Sequence, residues 1–390
     1  MFKKLTLTAA LATATMLSSP AFALEEGTLL IWINGDKGFE GLQAMGDRFT
    51  EELGVTVVVE HPENVTDKFQ QAAANGQGPD IMIWAHDRFG EWATSGLISP
   101  VEPSAAVVDN TFAFTWDAVQ FGGKTWGYPL SVEAVGLIYN KDLVPVPPAT
   151  MEEIPGMDIP GVTANMMWDY NNTYFTMPLL MAGGGYAFQK VDGSYDGTNT
   201  GVNNAGSVAG VSVIKAMIDS GAMPAGVDYG VMDAALNQGE TAMVINGPWA
   251  WSNLEASGIN FGVAPVPSVG GNPAKSFVGV LAAAMNAASP NKDLAIEFIE
   301  NYMLTDEGLA AINDDTALGA VASISFAATL AGDANIAATL ANAQNGVPMP
   351  SNPEMGKFWG AMGPALTAVT TGQQGVQEAL DDAAARILAE

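Results

Sequence analysis

The chain has 390 residues, 14 Lys and Arg against 42 Asp and Glu, a net charge of −28 and no cysteine. That balance excludes nucleic acid and anionic lipid surfaces as partners, because both are held by clustered Lys and Arg that displace counterions. Without cysteine no disulfide framework exists, so a large core must hold the fold, and at about 100–200 residues per domain the length suits two lobes.

Met1-Phe2-Lys3-Lys4, the apolar run at 5–17 and Ala21-Phe22-Ala23 read as a secretory signal peptide (1–23), with cleavage expected after Ala23. No later run reaches about 18 uninterrupted apolar residues, so no membrane span is expected. Residues 27–33 read as a strand, followed by the turn Asn34-Gly35-Asp36-Lys37-Gly38. A helix follows with Phe39, Leu42, Met45, Phe49 and Leu53 at helical spacing, ended by Gly54. Val-rich 55–60 is a second strand, 66–74 a helix carrying Phe69 inward, and 81–84 a third strand leading into Asp87-Arg88. Strand and helix in alternation predict a parallel, doubly wound α/β sheet.

In such sheets ligands bind just past the carboxyl ends of the strands. Asn34 to Lys37 and Trp84 to Arg88 occupy equivalent strand ends and describe one wall of a cleft. A change of lobe is expected near Glu133, which places that carboxylate between the lobes. Residues 141–148, with three prolines, read as an irregular connection. The alternation then resumes. Residues 162–167 read as a strand, 174–181 as a helix interrupted early by Pro178, and 191–195 as a hairpin. Helices are expected at 205–218 and 231–236, and the strand 241–245 closes in Asn246-Gly247-Pro248-Trp249, a third polar and aromatic strand end. A helix follows Ser289-Pro290, Thr305 caps the next, 327–345 reads as one Ala-rich helix, and two more helices fill 353–390.

The inventory for catalysis is thin. With His61 and His86 the two histidines, a Cys–His site is impossible, and no phosphate loop, zinc motif, calcium loop or nucleophile elbow is present. No metal and no cofactor is therefore expected. His86 reads as a brace for its turn. Asp36, Asp87 and Glu133 could pair as glycosidase acids, but Lys37 and Arg88 beside two of them would keep those carboxylates ionised. An ionised, hydrogen-bonding acid suits a binder of sugars, whose ring faces pack on aromatic side chains. Tyr174, Trp249 and Trp359 start elements or end strands and, with Trp84, suit that stacking role. Trp32, Trp92, Trp116, Trp126, Trp168 and Trp251 read as packing.

Asn34-Gly35-Asp36-Lys37-Gly38, Trp84-Ala85-His86-Asp87-Arg88-Phe89-Gly90, Phe114-Thr115-Trp116-Asp117-Ala118-Val119, Tyr139-Asn140-Lys141-Asp142-Leu143, Asn246-Gly247-Pro248-Trp249 and Leu304-Thr305-Asp306-Glu307-Gly308 together resemble the periplasmic maltose/maltodextrin-binding receptors of bacterial ABC transporters. The resemblance covers essentially the whole chain after residue 23. It implies a two-lobed periplasmic-binding fold with hinge crossovers and a ligand cleft between lobes, lobe 1 being 24–131 with 283–328 and lobe 2 being 132–282 with 329–390. It implies a non-enzymatic, monomeric, periplasmic receptor for maltose and maltodextrins that closes on its ligand and delivers it to inner-membrane permease subunits. It leaves a chemoreceptor open as a further partner. Trehalose, as an alternative ligand, and an exported glycosidase are the rival readings. Carried over, Asn34, Asp36, Lys37, Trp84, Asp87, Arg88 and Glu133 would take sugar hydroxyls, and Tyr174, Trp249 and Trp359 would stack rings. Tyr229 matches a further contact. Three positions depart from the pattern: Asn172 replaces an acid, and Gly360 and Gly363 replace a Tyr and an Arg.

Overall fold

The computed structural model describes residues 24–191 and 194–389. The expected signal peptide with its cleavage site, and the turn at Asp192-Gly193, lie outside these residues. Branched side chains favour the pleated strand, and the Val- and Ile-rich runs form Thr28–Trp32, Thr56–Glu60 and Ile81–Ala85. All three pair in parallel with Thr28–Trp32 in the middle. Parallel pairing requires a crossover, supplied by the helices Phe39–Leu53 and Val65–Ala74. Leu42, Met45, Phe49 and Phe69 are buried as their spacing predicts, but Leu53 is 49% exposed, so the apolar stripe ends one turn early.

The strand Phe277–Asn286 is buried along its whole length and pairs antiparallel with Ile81–Ala85 on one side and Tyr128–Ala134 on the other. Short strands Ala320–Val321, Ile98–Ser99 and Val347–Pro348 complete this large mixed sheet. The chain leaves it at Ala134 and enters a second sheet at Gly136. There the order is Phe261–Ala264, Gly136–Asn140, Thr241–Asn246, Ala164–Met167, the last two being parallel. Each sheet has its own apolar core, and a third cluster packs Phe358, Leu366 and Leu380 of the carboxy-terminal helices with Phe277. The result is the expected α/β fold of two lobes, with the crossing at residues 134–136.

Three elements differ from the sequence expectation. Pro178 sits inside the helix Thr173–Ala182 without ending it. Its missing N–H forfeits one helical bond, and burial of Phe175, Met177, Leu179 and Leu180 around it outweighs that loss. Residues 327–345 form parts of two helices, Ile324–Leu330 and Ala334–Asn345, because the Asp333 carboxylate caps the second by accepting from the amides of Asn335 and Ile336. The helix Lys292–Phe298 widens into a π-turn at Ile299–Met303, which brings Tyr302 edge-on to Phe49 at 4.8 Å.

Buried Asp80 ties the start of the chain to its later part. Its carboxylate accepts from the Leu30 amide at 2.9 Å, the Ser289 hydroxyl at 2.5 Å and the Asn291 amide at 3.0 Å. Asp80→Ala strands these buried donors and should cost about 3 kcal/mol. Asp219→Ala, which removes the exposed Lys215–Asp219 pair, should cost no more than about 0.5 kcal/mol. Urea denaturation of both variants checks the contrast, and equal losses would refute the role given to Asp80.

Candidate functional site

Three parallel strands of the large sheet deliver their carboxyl ends to one cavity of about 1000 Å³. Asn34, Asp36 and Lys37 follow Thr28–Trp32; Thr66 and Asp67 open the helix after Thr56–Glu60; Trp84, Asp87 and Arg88 end Ile81–Ala85. The second lobe contributes Asn172, Tyr174, Tyr229 and Trp249, and Glu133 enters from the crossing strand. Trp359 comes from the helix Met355–Thr370. All twelve residues singled out in the sequence line this one cavity.

The aromatic wall is built locally. Gly247 precedes Trp249 because a Cβ there would stand 2.2 Å from the folded-back indole. The indole lies 6.2 Å from the Tyr174 ring and 6.1 Å from Phe175, which in turn is 6.0 Å from Tyr229. Burial pushes the Tyr174 and Tyr229 phenols upward, so both stay neutral donors. Trp359 packs on Phe358 and Phe277 at 4.9 and 6.0 Å.

The charged groups are partnered differently from the sequence expectation. Lys37 does not pair with neighbouring Asp36. Its Nζ lies 2.6 Å from Glu133 Oε1 and 4.0 Å from the centroid of the Trp249 ring. Asp36 instead accepts from Asn34 Nδ2 at 2.6 Å. Arg88 turns away from Asp87: Nη2 donates to Gln70 Oε1 at 3.0 Å and lies 3.3 Å from Glu91 Oε2. Asp87, 4% exposed, accepts from the Trp359 indole N–H at 2.8 Å. Desolvation raises its pKa to about 6, which corrects the expectation that Arg88 holds it low. Asn172 is exposed at the rim, where its side-chain oxygen caps the helix by accepting from the Tyr174 amide at 3.1 Å. His86 is buried and braces its turn as expected, accepting from the Val280 amide at 2.9 Å with Nε2 3.0 Å from Met349 O.

The cavity also touches Thr66, Asp67, Glu91, Phe175 and Lys357, which the sequence reading passed over. The strand-end rule applied to Thr56–Glu60 would have found Thr66 and Asp67, and Glu91 lies one turn after Arg88. Lys357 carried no signal, because its place depends on a helix more than 260 residues away in the chain from Arg88. Among the described residues no group of His, Asp and Glu is arranged to hold a metal, and no helix is long and apolar enough to cross a membrane.

The family described as bacterial extracellular solute-binding protein matches residues 34–310. A galactooligosaccharide-binding protein of Bacillus subtilis is 28% identical over 382 residues, covering 94% of this chain and 90% of its own. A maltotriose-binding protein of Pyrococcus abyssi is 26% identical, covering 88% and 77%. A maltodextrin-binding protein of Bacillus subtilis is 25% identical, covering 96% and 93%.

The raised Asp87 pKa has a defined consequence for stability. Its folded value of about 6 exceeds the ordinary 3.8, so its contribution is fully present below pH 3.8 and is lost as pH rises through 6. His86, lowered to about 4 by burial, acts oppositely: its contribution is present above pH 6.5 and lost as pH falls through 4. Asp87→Asn isolates the first effect. Its stability relative to wild type should improve between pH 4 and pH 7.5 in urea titrations, and a pH-independent difference would contradict the burial argument.

Proposed function

The chain belongs to the bacterial extracellular solute-binding protein family, and from that premise we propose that it is a receptor for maltose and maltodextrins serving an ABC transporter. The observation that carries this reading is the convergence of aromatic faces and hydrogen-bonding groups from both sheets on one cavity. Tyr174, Trp249 and Trp359 offer faces for sugar rings, and Asn34, Asp36, Lys37, Trp84, Asp87, Arg88, Glu133, Asn172 and Tyr229 frame them with hydrogen-bonding groups. Five carboxylates against three cations in the lining favour a neutral ligand over an anionic one. The names of relatives support oligosaccharides as the class.

Binding without hydrolysis is supported by the standing partners of the candidate acids. Asp36 is held by Asn34, Asp87 by Trp359 and Glu133 by Lys37. We place the receptor in the periplasm, released from its 1–23 signal peptide, as a monomer whose lobes meet at residues 134–136, with Tyr128–Ala134 and Phe277–Asn286 kept whole in the first lobe. Closure of the lobes on the sugar is the state that the inner-membrane permease subunits read.

Titration of tryptophan fluorescence with maltose, maltotriose, trehalose and galactobiose tests the reading. The α-1,4 sugars should give a saturable change, and Trp249→Ala should weaken it at least tenfold, about 1.4 kcal/mol. Reducing sugar should not accumulate with time. A response to galactobiose or trehalose alone would keep the receptor and replace its ligand.

A further inference from the structure

One part of the cavity lining has no aromatic face. Arg88 and Glu91 form it, beside Gly356 and Gly360 of the helix Met355–Thr370, while the Lys357 ammonium of that helix donates to the Ala389 carbonyl. The Gln70 amide joins its two central charges into one unit, accepting from Arg88 Nη2 at 3.0 Å and donating to Glu91 Oε1 at 2.7 Å. Two buried atoms of that unit, Arg88 Nε and Glu91 Oε2, make no hydrogen bond among the described residues. Glu91 Oε2 keeps its ion pair with Arg88 Nη2 at 3.3 Å, so Arg88 Nε is the buried donor that marks unspent binding capacity. Sugar hydroxyls, which both donate and accept, suit a lining that presents a guanidinium and a carboxylate side by side, their side chains 12% and 25% exposed.

The glycines explain the space beside it. Gly356 and Gly360 lie one turn apart on one helix face. A Cβ at Gly356 would come 3.0 Å from Glu91 Oε2, so glycine makes room for the carboxylate. A Cβ at Gly360 would meet nothing within 4 Å, and the residue has no positive φ. Neither packing nor backbone conformation calls for glycine at this mid-helix position, where it weakens the helix. What it does is leave volume next to Trp359.

We propose that this region is a side arm of the cleft that takes a neutral hexose unit joined to the stacked sugar chain through an exocyclic CH2–O link. The inference rests on the oligosaccharide-receptor reading above. A ring continuing the main chain stays on the aromatic wall. A ring entering the arm leaves that wall and is held by hydrogen bonds to Arg88 and Glu91.

Calorimetry with maltose, maltotriose and panose, whose third glucosyl is (1→6)-linked, tests the arm on wild type, Gly360→Leu and Glu91→Gln. Panose should bind wild type at least tenfold tighter than maltose. In Gly360→Leu the ratio should fall to about one while the melting temperature rises, which separates a filled arm from a damaged fold. In Glu91→Gln it should fall about threefold or more. If maltose binds and panose gains nothing, or if the ratio survives Gly360→Leu, the arm is wrong and the receptor stands. If none of the three sugars binds wild type, the receptor reading is wrong and the arm falls with it.

Discussion

The Lys37 ammonium sits where three separate stretches of chain meet. It follows the first strand of the large sheet, bonds to Glu133 on the strand that leaves that sheet, and lies over Trp249 at a strand end of the second sheet. One cation thereby meets a carboxylate and an indole face that otherwise have no common element. Charge compensation and cation–π attraction are both strengthened where water is excluded, and the Lys37 and Glu133 side chains are only 12% and 11% exposed. The same ammonium therefore ties the Glu133 carboxylate at the crossing to the Trp249 indole of the second lobe.

The same economy runs through the rest of the cavity. A recessed site lined by eight ionisable carboxylates and cations would be costly if any stood alone. Each predicted acid has a partner: Asp87 and Glu133 draw theirs from distant elements, Trp359 and Lys37, while Asp36 is held within its own turn by Asn34. Asp87 shows the cost of the arrangement. It holds the Trp359 indole and is raised toward neutrality by burial, so it is a weaker anion than its position beside Arg88 implied.

Much of the first lobe was legible because its signals are local. Leu42, Met45 and Phe49 recur at helical spacing, Val57 to Val59 form a strand-forming run, and strand ends mark the cleft by a general topological rule. All twelve site residues share the cavity for that reason together with the family resemblance. What was not legible depends on long-range packing. Pro178 continues a helix because its neighbours are buried by distant segments, Arg88 is paired by Gln70 from another helix, and Phe277–Asn286 enters the sheet between strands that precede it by more than 140 residues.

That last strand also bears on when the molecule can fold. Ile81–Ala85 has its second neighbour in Phe277–Asn286, and Asn291 donates to the carbonyls of Glu25 and Thr28. The amino-terminal lobe is therefore unfinished until nearly three quarters of the polypeptide has emerged from the ribosome. Contacts so far apart in sequence slow folding. For an extracellular chain, that delay keeps the growing polypeptide threadable through a translocation channel, and completion of the sheet becomes an event of the far side of the membrane.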